Sequence, residues 1–216
     1  MTERDGVRAT RRGFFRRLLA GGLAVGTGIL TLSEPPSSPA GGADAGPVSP
    51  DREPIGGDDN AYAVWQYRRD GDEYTPTAPI NVVFPLENAA FADVIAVLRE
   101  AGWHPYPEEY ARYAWNHETG AFQLQDWTAT ETYFGKTGRY HVRCWELAGA
   151  ASVQAHVDSP ALPSHSIESY LDGQRGVESL FAAAGWTIDR DGLDFRNDRR
   201  PDHDGRVSRI LAGESP

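Results

Sequence analysis

An apolar run followed by an apolar stripe of helical spacing occurs twice along the chain. The segment Pro-Ile-Asn-Val-Val-Phe at 79–84 is typical of a buried strand. It leads into a predicted helix at 88–101, whose apolar residues are spaced three and four apart. The helix ends at Ala-Gly-Trp, 101–103, because glycine readily adopts the left-handed conformation that closes a helix. The first unit is therefore a strand, a helix and a Gly-Trp helix end.

The second unit repeats this order nearer the C-terminus. Residues 152–157 are predicted to form a strand, and 167–184 carry a second helix. Gly185-Trp186 ends that helix in the same way. The two units predict an α+β fold: a single domain with a mostly antiparallel sheet and two helices packed on one face, in which a β-α-Gly-Trp-β unit is used twice. The sequence leaves open whether the units are an internal duplication or a chance similarity of helix ends.

Between the helices, alternation of period two predicts a hairpin with one apolar face. Its strands cover 142–145 and 153–158, and a two-residue loop at Gly149-Ala150 brings the two apolar faces together. The polar side chains then collect on the opposite face as a single patch. The predicted cross-strand pairs are Cys144 with Ala155, Arg143 with His156, His141 with Asp158, and Trp145 with Gln154.

The N-terminal segment has the pattern of an export signal rather than of a fold element. Thr10-Arg11-Arg12-Gly13-Phe14-Phe15-Arg16 precedes an uncharged, Gly-rich apolar run at 18–32. This pattern resembles a twin-arginine (Tat) signal, with Arg11, Arg12 and Phe14 in register and conservative departures at Phe15 and Arg16. The resemblance implies the Tat translocase as a partner and an extracytoplasmic location, either secreted or tethered through an uncleaved signal.

Composition divides the chain into three parts. Residues 1–45 form the signal peptide, which ends at an Ala-x-Ala site at 43–45. Residues 46–60 are rich in Pro, Gly and Asp and are predicted to be a flexible linker. Residues 61–212 form the globular domain, whose size is typical of one domain. Because Cys144 is the only cysteine, no internal disulfide stabilises this domain.

The charge of the chain excludes one class of partner. Of 21 basic and 31 acidic residues, six arginines and four acids lie in residues 1–45, which leaves a formal charge of −12 on the remainder. Nucleic acids and anionic membrane surfaces bind basic footprints. We therefore expect no nucleic-acid partner, and contact with the membrane only through the uncleaved signal.

The polar patch of the hairpin has three interpretations. In the first interpretation, the patch is a solvent-exposed sheet face on which Arg143, Asp158 and Glu146 form ion pairs. Alternatively, it binds an anionic or sugar-like ligand, with Arg143 as a donor fork and Trp145 as a stacking platform. The third interpretation is a divalent metal site, which the positive charge of Arg143 disfavours. The candidate binding residues are His141, Arg143, Trp145, His156, Asp158 and His165, and the candidate metal ligands are His141, His156, Asp158 and His165.

Several motifs resemble the LssY C-terminal-like domain over residues 78–190. They include Thr132-Tyr133-Phe134-Gly135, the run Gly138 to Trp145, Ala155-His156-Val157-Asp158, and His165 with the helix that follows it. The chain departs from the family pattern at the start of that helix, 171–175. The resemblance implies a bacterial envelope domain of unestablished activity. It carries over no phosphatase chemistry, because the membrane segments that accompany the domain elsewhere do not occur in this sequence.

Together these patterns predict an exported binding or interaction module that uses the polar patch and needs no cofactor. Its ligand is a small molecule or a protein that the sequence does not identify. The alternative is a small metal-dependent hydrolase that uses a divalent metal held by the histidines and Asp158. Neither a Gly-x-Ser-x-Gly elbow, a phosphate loop nor a His-Glu-x-x-His helix occurs in the sequence.

Overall fold

A computed structural model describes residues 62–106, 110–131, 138–147, 149–159 and 166–213, with the backbone alone at 191 and 192. No helix in these residues is long and apolar enough to cross a bilayer. The strands are β1 (Trp65–Asp70), β2 (Glu73–Pro79), β3 (Val82–Pro85), β4 (His104–Pro105), β5 (Tyr113–Asn116), β6 (Ala121–Leu124), β7 (Trp127–Thr130), β8 (Tyr140–Leu147), β9 (Ala150–Asp158), β10 (Ile167–Ser169), β11 (Thr187–Asp194) and β12 (Arg206–Leu211). The helices are α1 (Phe91–Glu100) and α2 (Tyr170–Ala183).

Two sheets contain all of these strands. The larger sheet has the order β11-β12-β3-β9-β8-β7-β4, and β10 pairs with β9 beside this path. Its pairings are antiparallel except for β12 with β3. The smaller sheet is antiparallel, with the order β2-β1-β5-β6. The α+β fold with a mostly antiparallel sheet and two helices is therefore confirmed, and the smaller sheet is an addition that the sequence did not predict.

Both faces of the larger sheet are buried. On one face, α1 and α2 pack over the strands through side chains such as Leu98 and Phe181. On the other face, a second core forms between the sheet, the segment 62–64 and Ala114 of the smaller sheet. Because both faces are covered, side chains of either parity are buried along β9 and along His141–Trp145 of β8, whereas Glu146 is exposed.

The two helices end in the same hydrogen-bonded motif, as the Ala-Gly-Trp pattern predicts. Gly102 and Gly185 have φ of 86° and 92°. The backbone N–H of Trp103 donates to Leu98 O, and that of Trp186 donates to Phe181 O, both at 3.0 Å. This is a Schellman closure, in which a left-handed glycine lets two N–H groups reach the last free carbonyls of the helix.

Both predicted helix starts are wrong by three residues. The first helix begins at Phe91 rather than 88, and the backbone N–H of Ala90 donates to the Asp93 carboxylate at 2.8 Å. The second begins at Tyr170 rather than 167, because Ser169 Oγ accepts from the N–H of Asp172 at 2.8 Å and caps the helix. Residues 167–169 form β10 instead and extend the sheet beside β9.

Candidate functional site

The hairpin of β8 and β9 carries the predicted polar patch, but the predicted register is wrong by two residues. Leu147 pairs with Ala150, so Ala150 lies in β9 rather than in the predicted two-residue loop at Gly149-Ala150. The shift preserves which side chains share a face, since alternation along a strand has a period of two. The observed cross-strand pairs are His141 with His156, Val142 with Ala155, Arg143 with Gln154, Cys144 with Val153, and Trp145 with Ser152.

The interpretation of this patch as a solvent-exposed face is wrong. Histidines 141 and 156 are each 3% exposed, Arg143 is 7% exposed and Asp158 is 6% exposed. The smaller sheet and the segment 62–64 cover this face, and the N–H of Ala63 donates to Ser152 Oγ at 3.0 Å. The polar side chains of the hairpin therefore lie between two sheets, where each needs a hydrogen-bond partner.

Trp145 is not a stacking platform for a ligand. Its side chain is completely buried, and it packs in the core between the two sheets with Leu147 and Ala150. A ring that stacks on a sugar must present one face to solvent. The predicted role of Trp145 in ligand binding is therefore wrong, and the residue is part of the hydrophobic core.

His141, His156 and Asp158 form a compact buried group, called the His–His–Asp cluster below. One potential ligand atom from each residue lies within 4.8 Å of the other two. The two imidazole rings have centroids 5.0 Å apart and are inclined at 67°. Two ligands of one zinc ion lie about 3.3 Å apart, as bonds of about 2.0 Å in a tetrahedral arrangement require. The three atoms of the cluster are thus near one another, at separations of up to 4.8 Å.

Asp158 is held from two sides. Its Oδ1 lies 3.1 Å from His156 Nε2, and Arg139 donates its Nε–H to Oδ2 at 2.6 Å. Burial raises the pKa of the carboxyl, but hydrogen bonds and charges on His156, the charge on His141 and the hydrogen bond from Arg139 outweigh it. The pKa of Asp158 therefore lies well below its usual range, and the carboxylate is ionised at neutral pH.

Arg143 is separated from the cluster by an amide. Its Nη1 donates to Gln66 Oε1 at 3.2 Å and to Gln154 Oε1 at 3.3 Å. The same Gln154 side chain contacts His156 Nδ1, with its nitrogen at 3.0 Å and its oxygen at 3.1 Å. The guanidinium is thus bonded to neutral oxygens and keeps its positive charge, one amide away from His156.

Thr128 of β7 contacts His141. Its hydroxyl lies 3.2 Å from His141 Nε2 and donates to Val142 O at 3.1 Å. Thr128 is 8% exposed, so this contact is also inside the protein. Each member of the His–His–Asp cluster therefore has a second polar atom held by a neighbouring side chain.

The sequence predicted the cluster in part. His141, Arg143, His156 and Asp158 come together on one face as predicted, whereas His165 and the signal residues Arg11, Arg12 and Phe14 lie outside the described residues. Arg139, Thr128 and Gln154 were not predicted as site residues. The correct register would have revealed Arg139, because it places Arg139 opposite Asp158, whose N–H donates to Arg139 O at 3.0 Å.

No protein-family model, curated protein or solved structure matches the chain. The resemblance to the LssY C-terminal-like domain therefore stays a prediction.

Proposed function

We propose that this protein is an exported binding domain whose His–His–Asp cluster holds one divalent transition-metal ion. The observation that carries the proposal is the position of the three ligand atoms, which lie within 4.8 Å of one another in a buried group. Two imidazoles and one carboxylate suit divalent iron, manganese, cobalt and zinc. Export rests on the twin-arginine pattern at the N-terminus.

The charge of the whole chain favours a cation, whereas Arg139 and Arg143 place positive charge near the cluster. Arg139 is balanced by its ion pair with Asp158 at 2.6 Å. Arg143 donates to amide oxygens rather than to the cluster itself. The chain carries a formal charge of −10, so the field of the whole protein attracts cations rather than anions.

Zinc binding by the full chain tests the proposal. We expect isothermal titration calorimetry to give one zinc per chain, and the variant His156→Gln to lose this binding. The amide of glutamine still donates to Asp158, which favours a folded variant. His104→Gln is the matched control, because His104 lies exposed in β4. Wild-type protein that binds no zinc, or equal binding by the two variants, contradicts the proposal.

Metal-dependent hydrolysis is a second candidate function, and the number of ligands favours it. Three protein ligands leave one position of a four-coordinate zinc for water, which is the arrangement of hydrolytic zinc sites. Zinc activates such a water by lowering its pKa. Zinc-dependent cleavage of a p-nitrophenyl ester that is lost in Asp158→Asn would support this function. If the protein binds one zinc per chain but does not cleave the ester, only the metal-binding function is supported.

A further inference from the structure

A cleft lies beside α2 on the helix-covered face of the larger sheet. Its volume is about 310 Å³, at the lower end of the range of about 300–1,000 Å³ that is typical of small-molecule sites. The described lining includes two aromatic rings, two carboxylates and one guanidinium, from Trp103, Tyr140, Glu131, Asp172 and Arg175. We infer that this cleft binds a small organic cation, in which an ammonium or guanidinium group is joined to an apolar body.

The cleft and the His–His–Asp cluster lie on opposite faces of the larger sheet. Tyr140 and His141 are neighbours along β8, and successive side chains of a strand point to opposite faces. Tyr140 packs against the core under the two helices, whereas the smaller sheet covers the face that carries the cluster. The inferred cation site is therefore separate from the proposed metal site.

The ring of Tyr140 is the main apolar surface of the cleft. Trp103 is only 6% exposed, whereas Tyr140 is partly exposed, and the two ring centroids are 6.3 Å apart. Gly176 of α2 lies against the Tyr140 ring, since a Cβ atom there would be 2.4 Å from Cε1 of that ring. The helix thus approaches the ring without a side chain between them. Because the face of an aromatic ring carries partial negative charge, it attracts ammonium and guanidinium groups.

Two carboxylates lie close to this ring. The backbone N–H of Glu131 donates to Tyr140 O at 3.1 Å, so the two residues are neighbours across the strands. Asp172 lies in the first turn of α2. Burial raises the pKa of Tyr140, and the negative charges of Asp172 and Glu131 raise it further. The negative potential of both carboxylates therefore reaches the phenol, and the same potential attracts a cation.

Arg175 offsets only part of this negative charge. Its Nη1 lies 4.0 Å from Asp172 Oδ1, and both side chains are 63% exposed. An exposed ion pair of this kind is weak, so a ligand can replace it. Two carboxylates and one guanidinium give the described lining a net charge of −1, and the whole chain carries −10. A ligand with one positive charge therefore neutralises the lining, whereas an anion would face both carboxylates.

Calorimetric titration of the full chain with tyramine, in the presence of a chelator, tests the inference. Tyramine carries an ammonium group on an aromatic body, and 4-propylphenol has nearly the same shape without the charge. We expect tyramine to bind at one site per chain, and 4-propylphenol to bind at least about tenfold more weakly. The chelator excludes binding through a metal ion in the His–His–Asp cluster. Equal affinities of the two compounds, or no binding of tyramine, overturn the inference.

A double variant locates the site of binding. Glu131→Gln with Asp172→Asn removes both carboxylates from the lining at exposed positions, where the fold tolerates the change. We expect this variant to bind tyramine about tenfold more weakly than the wild type. Asp72→Asn with Glu118→Gln is the matched control, because it removes two exposed carboxylates outside the cleft and changes the net charge equally. Unchanged binding by the first variant, or equal weakening in both, overturns the inference.

Discussion

Asp158 shows how a single buried residue combines electrostatic and structural roles. Its carboxylate accepts from Arg139 on one oxygen and lies 3.1 Å from His156 on the other. Because its pKa is lowered, ionised Asp158 stabilises the fold above the ordinary aspartate pKa of about 4. That stabilisation is lost as the pH falls from there through the lower pKa of the folded state.

Asp158→Asn is therefore expected to lose stability in a pH-dependent way. At pH 7, in the presence of a chelator, we expect a loss of about 3 kcal/mol, since the variant leaves the partly buried Arg139 without its counter-ion. Below pH 4 the difference between variant and wild type becomes smaller. Urea unfolding at pH 7 and pH 3 measures both values. Asp72→Asn, at a fully exposed position, is the control, and a pH-independent loss in Asp158→Asn would contradict the account.

At the scale of single residues, the sequence predicted which histidines and which carboxylate come together. Alternation along two strands was sufficient for that, because His141, His156 and Asp158 share a parity. Burial was not predictable in this way. It depends on Gln66 and Ala63, which lie more than 70 residues away along the chain from their partners Arg143 and Ser152.

At the scale of elements, local signals determined the helix ends and failed to determine the hairpin register. A glycine just after an amphipathic helix is a local signal for this closure, and it is followed by tryptophan at both helices. Registers that differ by two residues place the same side chains on each face. The hydrophobic pattern therefore does not distinguish the two registers, and the pairing of Leu147 with Ala150 shows which one forms.

Gly173 brings α2 against β9, directly behind His156. A Cβ atom at this position would lie 2.4 Å from both the Cα and the backbone N of His156. At Gly176, about one turn later, the three atoms nearest to such a Cβ all belong to the ring of Tyr140. The two glycines of α2 therefore face neighbours that differ in their freedom to move: backbone at Gly173 and a side chain at Gly176.

Gly173→Ala is expected to destabilise the protein by about 1–3 kcal/mol, because the sheet backbone cannot move away from the new methyl group. Replacing glycine by alanine in a helix otherwise stabilises by up to about 1 kcal/mol. Gly176→Ala is the matched variant, and we expect a smaller loss because the Tyr140 ring can rotate. Thermal unfolding of both variants checks the order, and a stabilised Gly173→Ala would contradict the described packing.

At the scale of the whole molecule, the smaller sheet explains why the observed site is buried while the predicted site is exposed. The fold class followed from two strand-helix units, whereas the strands at 65–79 and 113–124 were not predicted from the sequence. Their pairing buries the polar face of the hairpin and joins Gln66 to Arg143. The face that the sequence predicted to be open is therefore an internal polar cluster. Such a cluster has room for an ion rather than for a sugar.

Export is a second property of the whole chain. The twin-arginine resemblance predicts that the double variant Arg11→Lys, Arg12→Lys remains in the cytoplasm, because the arginine pair is the recognised element of the signal. Arg16→Lys with Arg17→Lys removes two arginines outside the pair and serves as the control. Cell fractionation followed by immunoblotting checks both variants. Unimpaired export of the first would show that the segment is not a twin-arginine signal.

The central claim is that one metal ion is held by His141, His156 and Asp158. Zinc K-edge X-ray absorption of the full chain, after equilibrium dialysis with zinc, tests it most directly. The account predicts one zinc per chain with nitrogen and oxygen neighbours at about 2.0 Å and the scattering of two imidazole rings. Protein that retains no zinc, or zinc without imidazole scattering, would contradict it.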